Sequence, residues 1–379
     1  MRIGFDVSYI QTKRAGAGRY ALELLKLLLA TDADNEYILH GWSFSLDQRA
    51  LHSLARTGVT MRTRRVPGNL KRFAWDHVGV LPLRYLTGPI DVFHSCDAFL
   101  PALGNIKGIA TVHDVCQRLH PEYFETKIHS RDHYLRRALE SAAAIVVPSR
   151  QTQTDLQAMF SVPGEKIHLV YPPLPRCFHP AGPQDITAES RLRDALSIHA
   201  PFVLFVGTLE PRKNVVSLIR AFENADRILA GTRSLVIAGK PGWMYRDIFH
   251  AIEASPSRRK IHYLRYVSEE DLATLYRLAH VFVYPSYYEG FGYPVFEAMA
   301  SGTPVVTSDS SSLKELTGGA AVLTDPSDQA SIAGAIVEVS RNEDRRRELI
   351  DAGLQRAGWL ASQNPATQIL KIYRMVASH

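Results

Sequence analysis

The sequence predicts an α/β protein made of two Rossmann-like, doubly wound parallel-sheet domains. Three observations predict it. Hydrophobic runs of strand length alternate with helix-length amphipathic stretches along all 379 residues, the pattern of parallel strands joined by crossover helices. Runs such as Phe202-Val-Leu-Phe-Val206 are apolar at every position, which suits strands buried on both faces. Pro172, Pro173, Pro175, Pro180, Pro183 and Pro201 cluster near the middle of the chain. Proline breaks helices and ladders alike, so the stretch Tyr171–Pro201 reads as a boundary between halves of one domain each.

In chain order, strands are expected at Ile3–Val7, Tyr37–His40, Val92–His94, Ile109–Val112, Ala144–Val147 and Ile167–Val170. A second set follows at Phe202–Val206, Ser234–Ala238, Ile261–Leu264, Val281–Tyr284 and Pro304–Thr307. Helical periodicity lies between them, at Tyr20–Ala30, Val215–Ala225, Glu269–Leu278 and Pro294–Ser301. The domains are set at 1–172, 173–358 and a C-terminal helix at 359–379 that packs back on the first. Ligands on such sheets bind beyond the carboxyl ends of the strands. Two such edges facing each other make a cleft.

Composition narrows the class. At 46% hydrophobic and 22% charged, the chain builds a sizeable core. No apolar run approaches the roughly 18 residues of a membrane span, and the first residues already read as a strand, with no secretory h-region ahead of it. Cys96, Cys116 and Cys177 are too few and too scattered for a disulfide framework or a metal spacing. That points to a reducing, cytoplasmic setting. The net charge of +6 is uneven: residues 1–180 hold 22 Lys and Arg against 16 Asp and Glu, while the rest is balanced. The basic-aromatic run Arg62, Arg64, Arg65, Lys71, Arg72, Phe73 and Trp75 falls in that first half. It is either a peripheral contact with an anionic membrane or an ordinary solvated surface. Nucleic acid is not expected as a partner.

The strongest chemical signal runs from Val281 to Gly302. It reads as a strand, a loop containing Glu289-Gly290-Phe291-Gly292, and a short helix opening at Pro294 and stopping at Gly302. Proline suits a first helical position and glycine a stop. Gly290 and Gly292 let backbone approach a ligand. The helix N-terminus behind them presents unpaired N–H groups and a partial positive charge, a site for phosphate. Glu289 and Glu297, eight residues apart, would repel that phosphate unless they face hydroxyls. Glu297 is placed to accept from a ribose and Glu289 from a hexose.

Arg212 and Lys213 follow the strand Phe202–Val206 and a loop with Gly207 and Pro211. A helix start is electrostatically a poor place for cations. Their presence there suggests a functional role on an anion, which Arg grips as a fork and Lys as a point charge.

Other signals are weaker. Gly16-Ala-Gly18-Arg-Tyr-Ala21 satisfies a dinucleotide fingerprint as a string. The loop from Val7 is too long for its tight turn, however, and Tyr37–His40 ends without the ribose-binding acid. A glycine loop approaching phosphates or an acceptor, with Gly18 as the main contact, is the better reading. Asp32-Ala-Asp34 is a turn remote from strand ends rather than a metal motif. His129 and His133 lack an intervening glutamate base.

The stretch Glu289–Gly302 with Thr303-Pro-Val-Val resembles the signature of retaining glycosyltransferases of the GT-B fold, family 4 (group 1). Gly207-Thr-Leu-Glu-Pro-Arg-Lys-Asn214, Ala238-Gly-Lys-Pro-Gly-Trp243, Val267-Ser-Glu-Glu-Asp-Leu272, Thr111-Val-His-Asp114 and Gly16-Ala-Gly-Arg-Tyr20 extend the resemblance over nearly the whole chain. Arg265, Tyr293 and Ser301 depart from it, and Tyr293 borders the sugar pocket. The resemblance implies that Arg212 and Lys213 hold the pyrophosphate without a metal and that His113 faces the transferred sugar. It further implies that Gly16, Gly18, Gly290, Phe291, Gly292 and Val295 complete the donor site with Glu289 and Glu297. It implies transfer of a hexose from a nucleoside-diphosphate sugar to a hydroxyl of a glycan or glycolipid, with retention and no cofactor. No carboxylate nucleophile can be placed under the anomeric carbon, which favours a same-face route. His113-Asp114 through His120-Pro-Glu-Tyr123 most resembles bacterial mannosyltransferases of surface polysaccharide synthesis, favouring GDP-mannose over a UDP-hexose. The rival classes are a nicotinamide oxidoreductase and a non-catalytic nucleotide-sugar-binding module.

Overall fold

The computed structural model describes residues 1–12, 16–65, 83–125, 129–198 and 201–378. Lys71, Arg72, Phe73 and Trp75 of the basic-aromatic run lie outside the described residues. The chain divides into two compact units. One holds Met1–Val115, Lys127–Pro173 and Gln363–His379, the other Cys116–Thr126 and Leu174–Ser362.

The first unit is built on Arg2–Asp6 (β1), Glu36–Trp42 (β2), Val59–Arg64 (β3), Val92–Ser95 (β4), Lys107–Thr111 (β5), Ala144–Val147 (β6) and Ile167–Leu169 (β7). All pair in parallel, in the order β3-β2-β1-β4-β5-β6-β7. The second unit uses Phe202–Val206 (β8), Ser234–Ala238 (β9), Ile261–Leu264 (β10), Val281–Tyr284 (β11), Val305–Ser308 (β12) and Val322–Thr324 (β13). These are again all parallel, ordered β10-β9-β8-β11-β12-β13. In each sheet the strand order reverses once, between β1 and β4 and between β8 and β11. Such reversals splay the adjoining loops apart and leave a crevice at the carboxyl ends. Every residue of β8, β9, β11 and β12 is buried, as sheets covered on both faces require. The protein therefore has the two-domain, doubly wound α/β architecture expected.

Two strands escape the hydrophobic pattern. β3 reads Val-Thr-Met-Arg-Thr-Arg, with Thr60, Arg62 and Arg64 exposed alternately on one face. Its period is that of a half-covered edge strand. β13 has three residues, too few to show a period. The Gly16–Thr31 helix starts four residues before the Tyr20 expected, so the glycine pair lies in its first turn instead of a loop.

The unit borders differ from the expected domains. The central change falls between Pro173 and Leu174, and the C-terminal one between Ser362 and Gln363. Cys116–Thr126 groups with the second unit because its aromatic residues pack there. Tyr123 stacks on Tyr287 with ring planes 10° apart, Phe124 stacks on Trp243, and the Trp243 indole N–H donates to the Tyr123 carbonyl at 2.6 Å.

In the first unit the Pro365–Ala377 helix packs on the Gly16–Thr31 helix. A buried polar chain runs through that contact. Tyr373 Oη lies 2.8 Å from His94 Nδ1, His94 Nε2 lies 2.9 Å from Thr111 Oγ1, and Thr111 Oγ1 lies 3.3 Å from Tyr20 Oη. His94 has no exposed surface. Burial pushes its pKa down from the ordinary 6.5 to about 3, with Asp6 opposing weakly. A histidine held neutral in the fold but free to charge when unfolded destabilises the fold as pH falls below 6.5, and stops doing so only near pH 3. Unfolding free energy is therefore expected to rise by a few kcal/mol, to order of magnitude, from about pH 4 to about pH 7. His94→Gln is expected to flatten that slope in urea titrations across the range. An unchanged slope would exclude His94 as its source.

Candidate functional site

The switch point between β8 and β11 carries the densest cluster of buried charge among the described residues. After β8 the chain makes a loop ending in a 3-10 turn, Pro211–Lys213, and then enters the Val215–Ile228 helix. Asn214 caps the change of direction in the left-handed region at φ 57°, which asparagine tolerates better than most residues. Its Nδ2 donates to the carbonyls of Pro285 (3.0 Å) and Pro326 (2.6 Å). One side chain thus ties the loop after β8 to those after β11 and β13. The loop backbone comes very close to its neighbour after β9. A Cβ on Gly239, at φ 154°, would lie 1.8 Å from the Gly207 oxygen. No other residue fits there.

The loop after β11 supplies the acid. Ser286 through Gly292 lead into the Tyr293–Ala300 helix, with Pro294 at its second position and Gly302 beyond its end at φ 73°. Gly292 caps it at φ 88°, where a Cβ would meet Leu313 at 2.6 Å. Ser312 Oγ donates to the Glu289 carbonyl at 2.8 Å, and the Glu289 N–H donates to Ser311 Oγ at 2.9 Å.

These loops bring three of the expected residues together. Lys213 Nζ donates to Glu289 Oε1 at 2.5 Å and to Tyr284 Oη at 2.7 Å. Arg212 Nη1 reaches Glu289 Oε2 at 3.2 Å and the Tyr288 carbonyl at 3.1 Å. The rest of the Arg212 guanidinium faces Glu210, with Nε 3.0 Å and Nη2 2.8 Å from Oε1. Ser286 Oγ (2.6 Å) and Tyr284 Oη (3.0 Å) also donate to Glu289 Oε1. Two acids and two bases therefore sit in one quartet, three of them buried and the Arg212 side chain 14% exposed. Glu210 is 2% exposed, Glu289 6% and Lys213 7%. Burial alone pushes the Glu289 carboxyl up, but the Arg212 and Lys213 charges, with hydrogen bonds from Lys213 and Ser286, outweigh it and hold the group at about 2. Burial raises Tyr284 well above the ordinary phenol range, and the Glu289 charge raises it further, so its hydroxyl stays a donor.

Glu297 stands apart from the quartet. It has no exposed surface, and its Oε2 accepts from Tyr276 Oη at 2.9 Å. Phe291 stacks on Phe296 with planes 12° apart, and Val295 is buried. Gly290 and Gly292 are buried as well. In the first unit, His113 follows β5. Its Nε2 lies 2.9 Å from the Cys96 carbonyl, which can only accept. Nε2 therefore carries a proton and donates to that carbonyl, which fixes the orientation of the ring. The Tyr20 ring stands edge-on to it at 85°. Gly18 is buried and Gly16 exposed in the first turn of their helix. Asp32 is a turn acceptor, taking the Tyr37 hydroxyl and the Asn35 amide at 2.7 Å each.

Sequence reasoning assigned no role to Glu210, Asn214, Tyr276, Tyr284 or Ser286. Ser286 and Tyr284 lie within five residues of Glu289, so their proximity was readable. Tyr276 is on the buried face of the Glu269–Leu278 helix, and the only hint was that a buried tyrosine hydroxyl needs a partner.

The chain is similar to known proteins over both halves of its length. The model of the family described as Glycosyltransferase Family 4 matches residues 14–175, and that of Glycosyl transferases group 1 matches residues 191–356. O-antigen chain mannosyltransferase B of Escherichia coli is 29% identical, covering 99% of this chain and 100% of its own. O-antigen chain mannosyltransferase RfbU of Salmonella typhimurium is 26% identical over 62% of this chain and 61% of its own. Among solved structures, sucrose-phosphate synthase from Thermosynechococcus elongatus has a TM-score of 0.77 at 20% identity, covering 100% of this chain and 99% of that one. Anabaena HepE in complex with UDP and glucose has a TM-score of 0.75 at 19% identity, with both chains fully covered.

The quartet makes a stability prediction. A carboxyl depressed in the fold contributes stability that is present above its ordinary pKa of 4.5 and is lost as pH falls toward 2. Lys213→Met leaves Glu289 buried beside one cation fewer, and is expected to cost about 3–5 kcal/mol at neutral pH. It is also expected to shrink the acid-dependent loss, as read by denaturant titration at pH 7 and pH 4. A variant as stable as the parent at both pH values would contradict the buried pair. With two family models matching one half each and the fold shared end to end with solved relatives, the chain belongs to the family 4 (group 1) glycosyltransferases of the GT-B fold.

Proposed function

We propose that the protein transfers mannose from GDP-mannose to a hydroxyl of a glycan or lipid-linked acceptor, with retention, in the synthesis of a surface polysaccharide. The observation that carries this reading is the pairing of Arg212 and Lys213 with Glu289 at the β8–β11 switch point, beside the N-terminus of the Tyr293–Ala300 helix. Cations close in the fold to a helix N-terminus suit a diphosphate whose charge grows as the sugar leaves. Mannose is supported by the full-length similarity to an O-antigen chain mannosyltransferase.

In this scheme Arg212 and Lys213 take the charge of the leaving diphosphate and no metal is required. The Glu297 carboxylate accepts from the ribose once Tyr276 yields its place, and Glu289 accepts from the hexose. His113, anchored through Nε2 on the Cys96 carbonyl, faces the sugar, while Gly16 and Gly18 bring the first turn of their helix to the donor or acceptor. Glu289 already carries two cations and two hydroxyls, so it is a poor nucleophile. That supports a same-face route in which the departing phosphate takes the acceptor's proton. A UDP-hexose is the second reading, because HepE binds UDP and glucose.

The test is release of GDP and UDP over a panel of nucleotide sugars with glycan and lipid-linked acceptors. GDP-mannose is expected to be turned over fastest. Lys213→Ala and Glu297→Ala are each expected to lower kcat/KM at least 100-fold. Full activity in both variants would refute the site, and preference for a UDP-sugar would replace the donor.

We also propose that the first unit meets an anionic membrane surface. Arg62 and Arg64 line the exposed face of β3, and Arg65 is exposed beside them. Phe44, 63% exposed, follows β2 where the Ser43 N–H donates to the Arg64 carbonyl. An aromatic ring beside three cations suits a lipid interface, worth about 1 kcal/mol per basic residue. Sedimentation with vesicles containing phosphatidylglycerol is expected at low salt and to be lost in Arg62→Glu/Arg64→Glu. Vesicle binding that survives this double substitution would exclude the patch.

A further inference from the structure

The Glu289 quartet has a feature that the donor-site reading leaves open. Arg212 and Lys213 suit a diphosphate, yet both are already neutralised. Glu210 and Glu289 supply two negative charges against their two positive ones, within 3.2 Å in every pair. A diphosphate brings about two more negative charges. Entering a buried and already neutral cluster, it would meet repulsion instead of attraction, because charge effects grow as water is excluded.

The two acids are not equivalent. Glu210 lies three residues before Lys213, and its Oε1 takes both Nε and Nη2 of Arg212. It holds the guanidinium by one edge and leaves the Nη1 edge turned toward Glu289. Glu289 instead occupies the faces of both cations that a ligand would use: Nη1 of Arg212 and Nζ of Lys213. Unlike a fixed counter-ion, it also has neutral donors in Ser286 and Tyr284. Those hydroxyls keep it hydrogen-bonded if the cations turn to another anion.

We propose that Glu289 is a stand-in for the donor's diphosphate: it neutralises Arg212 and Lys213 until the donor arrives, and the phosphate oxygens then displace it from them. Glu289 keeps its bonds to Ser286 and Tyr284 and is released toward the sugar hydroxyls. Glu210 stays on Arg212 throughout as a positioning residue. The exchange lets two cations remain buried without a ligand, and part of the diphosphate's binding energy is spent on displacing the acid. This inference rests on the donor-site reading above.

Affinities of GDP, UDP and inorganic pyrophosphate for the full chain, by calorimetry, test it in two variants. Glu289→Gln removes the competing charge and is expected to tighten all three at least tenfold while lowering kcat. Ser286→Ala changes no charge but removes a donor that holds Glu289 once the cations have left it, and is expected to weaken all three about threefold. A simple field effect would tighten binding only in Glu289→Gln. Unchanged affinity in Ser286→Ala would therefore overturn the exchange, as would weaker or equal binding in Glu289→Gln. If Glu289→Gln does not fold, Ser286→Ala alone decides. If none of the three ligands binds the parent at millimolar concentration, the donor-site reading falls and takes the exchange with it. If they bind but Glu289→Gln does not tighten them or Ser286→Ala does not weaken them, only the exchange falls.

Discussion

Two cations buried beside one carboxylate govern this molecule. Lys213 is 7% exposed and the Arg212 side chain 14%, and charge so poorly solvated is costly without a partner inside the fold. Lys213 and Arg212 are placed by the loop after β8, and Glu289 by the loop after β11. The pairing therefore spans the one place in the second sheet where neighbouring strands send their chains to opposite faces. The doubly wound topology opens a crevice there. The charge pairing fills it with groups that water cannot easily solvate.

Much of the surrounding structure can be read as support for that pairing. Asn214 spends its amide on two carbonyls from two other loops, which fixes the turn carrying Arg212 and Lys213. The Tyr287 N–H donates to the Arg212 carbonyl, so the backbones of the two loops are joined as well as their side chains. Gly239 allows the loops after β8 and β9 to touch, and Gly292 allows the Glu289 loop to turn into its helix against Leu313. Gly239 and Gly292 have little freedom to vary, because each combines a positive φ with a Cβ that has nowhere to go.

The fold was largely legible in the sequence. β6, β8, β9 and β11 have the bounds that their apolar runs predict, since strands buried on both faces are largely hydrophobic, and the edge strand β10 has its expected bounds too. β3 was hidden because its exposed face carries Arg62 and Arg64, which read as a charge run. The site was legible as a set of residues but not as an arrangement. Glycines, prolines and paired charges at strand ends single out Arg212, Lys213, Glu289 and Glu297. Spacing along the chain says nothing of which acid meets which base across loops more than seventy residues apart. The sequence reading set Glu289 against a hexose and the cations against phosphate. The structure sets them against each other and encloses Glu297 with Tyr276.

That difference bears on how carboxylates are counted in a transferase. An acid near a reacting centre is commonly weighed as a nucleophile or a base, and both roles need electron density to give away. Glu289 accepts from Lys213, Arg212, Tyr284 and Ser286, and its pKa lies far below that of a useful base. A site built to stabilise a departing diphosphate needs cations in a water-poor place. Cations in a water-poor place need an anion before the substrate comes. The second requirement follows from the first, so an acid of this kind is expected wherever phosphate charge is met by buried side chains in place of a metal. On this reading Glu289 belongs to the electrostatics of the resting site, and its low basicity is a consequence of the job it does there.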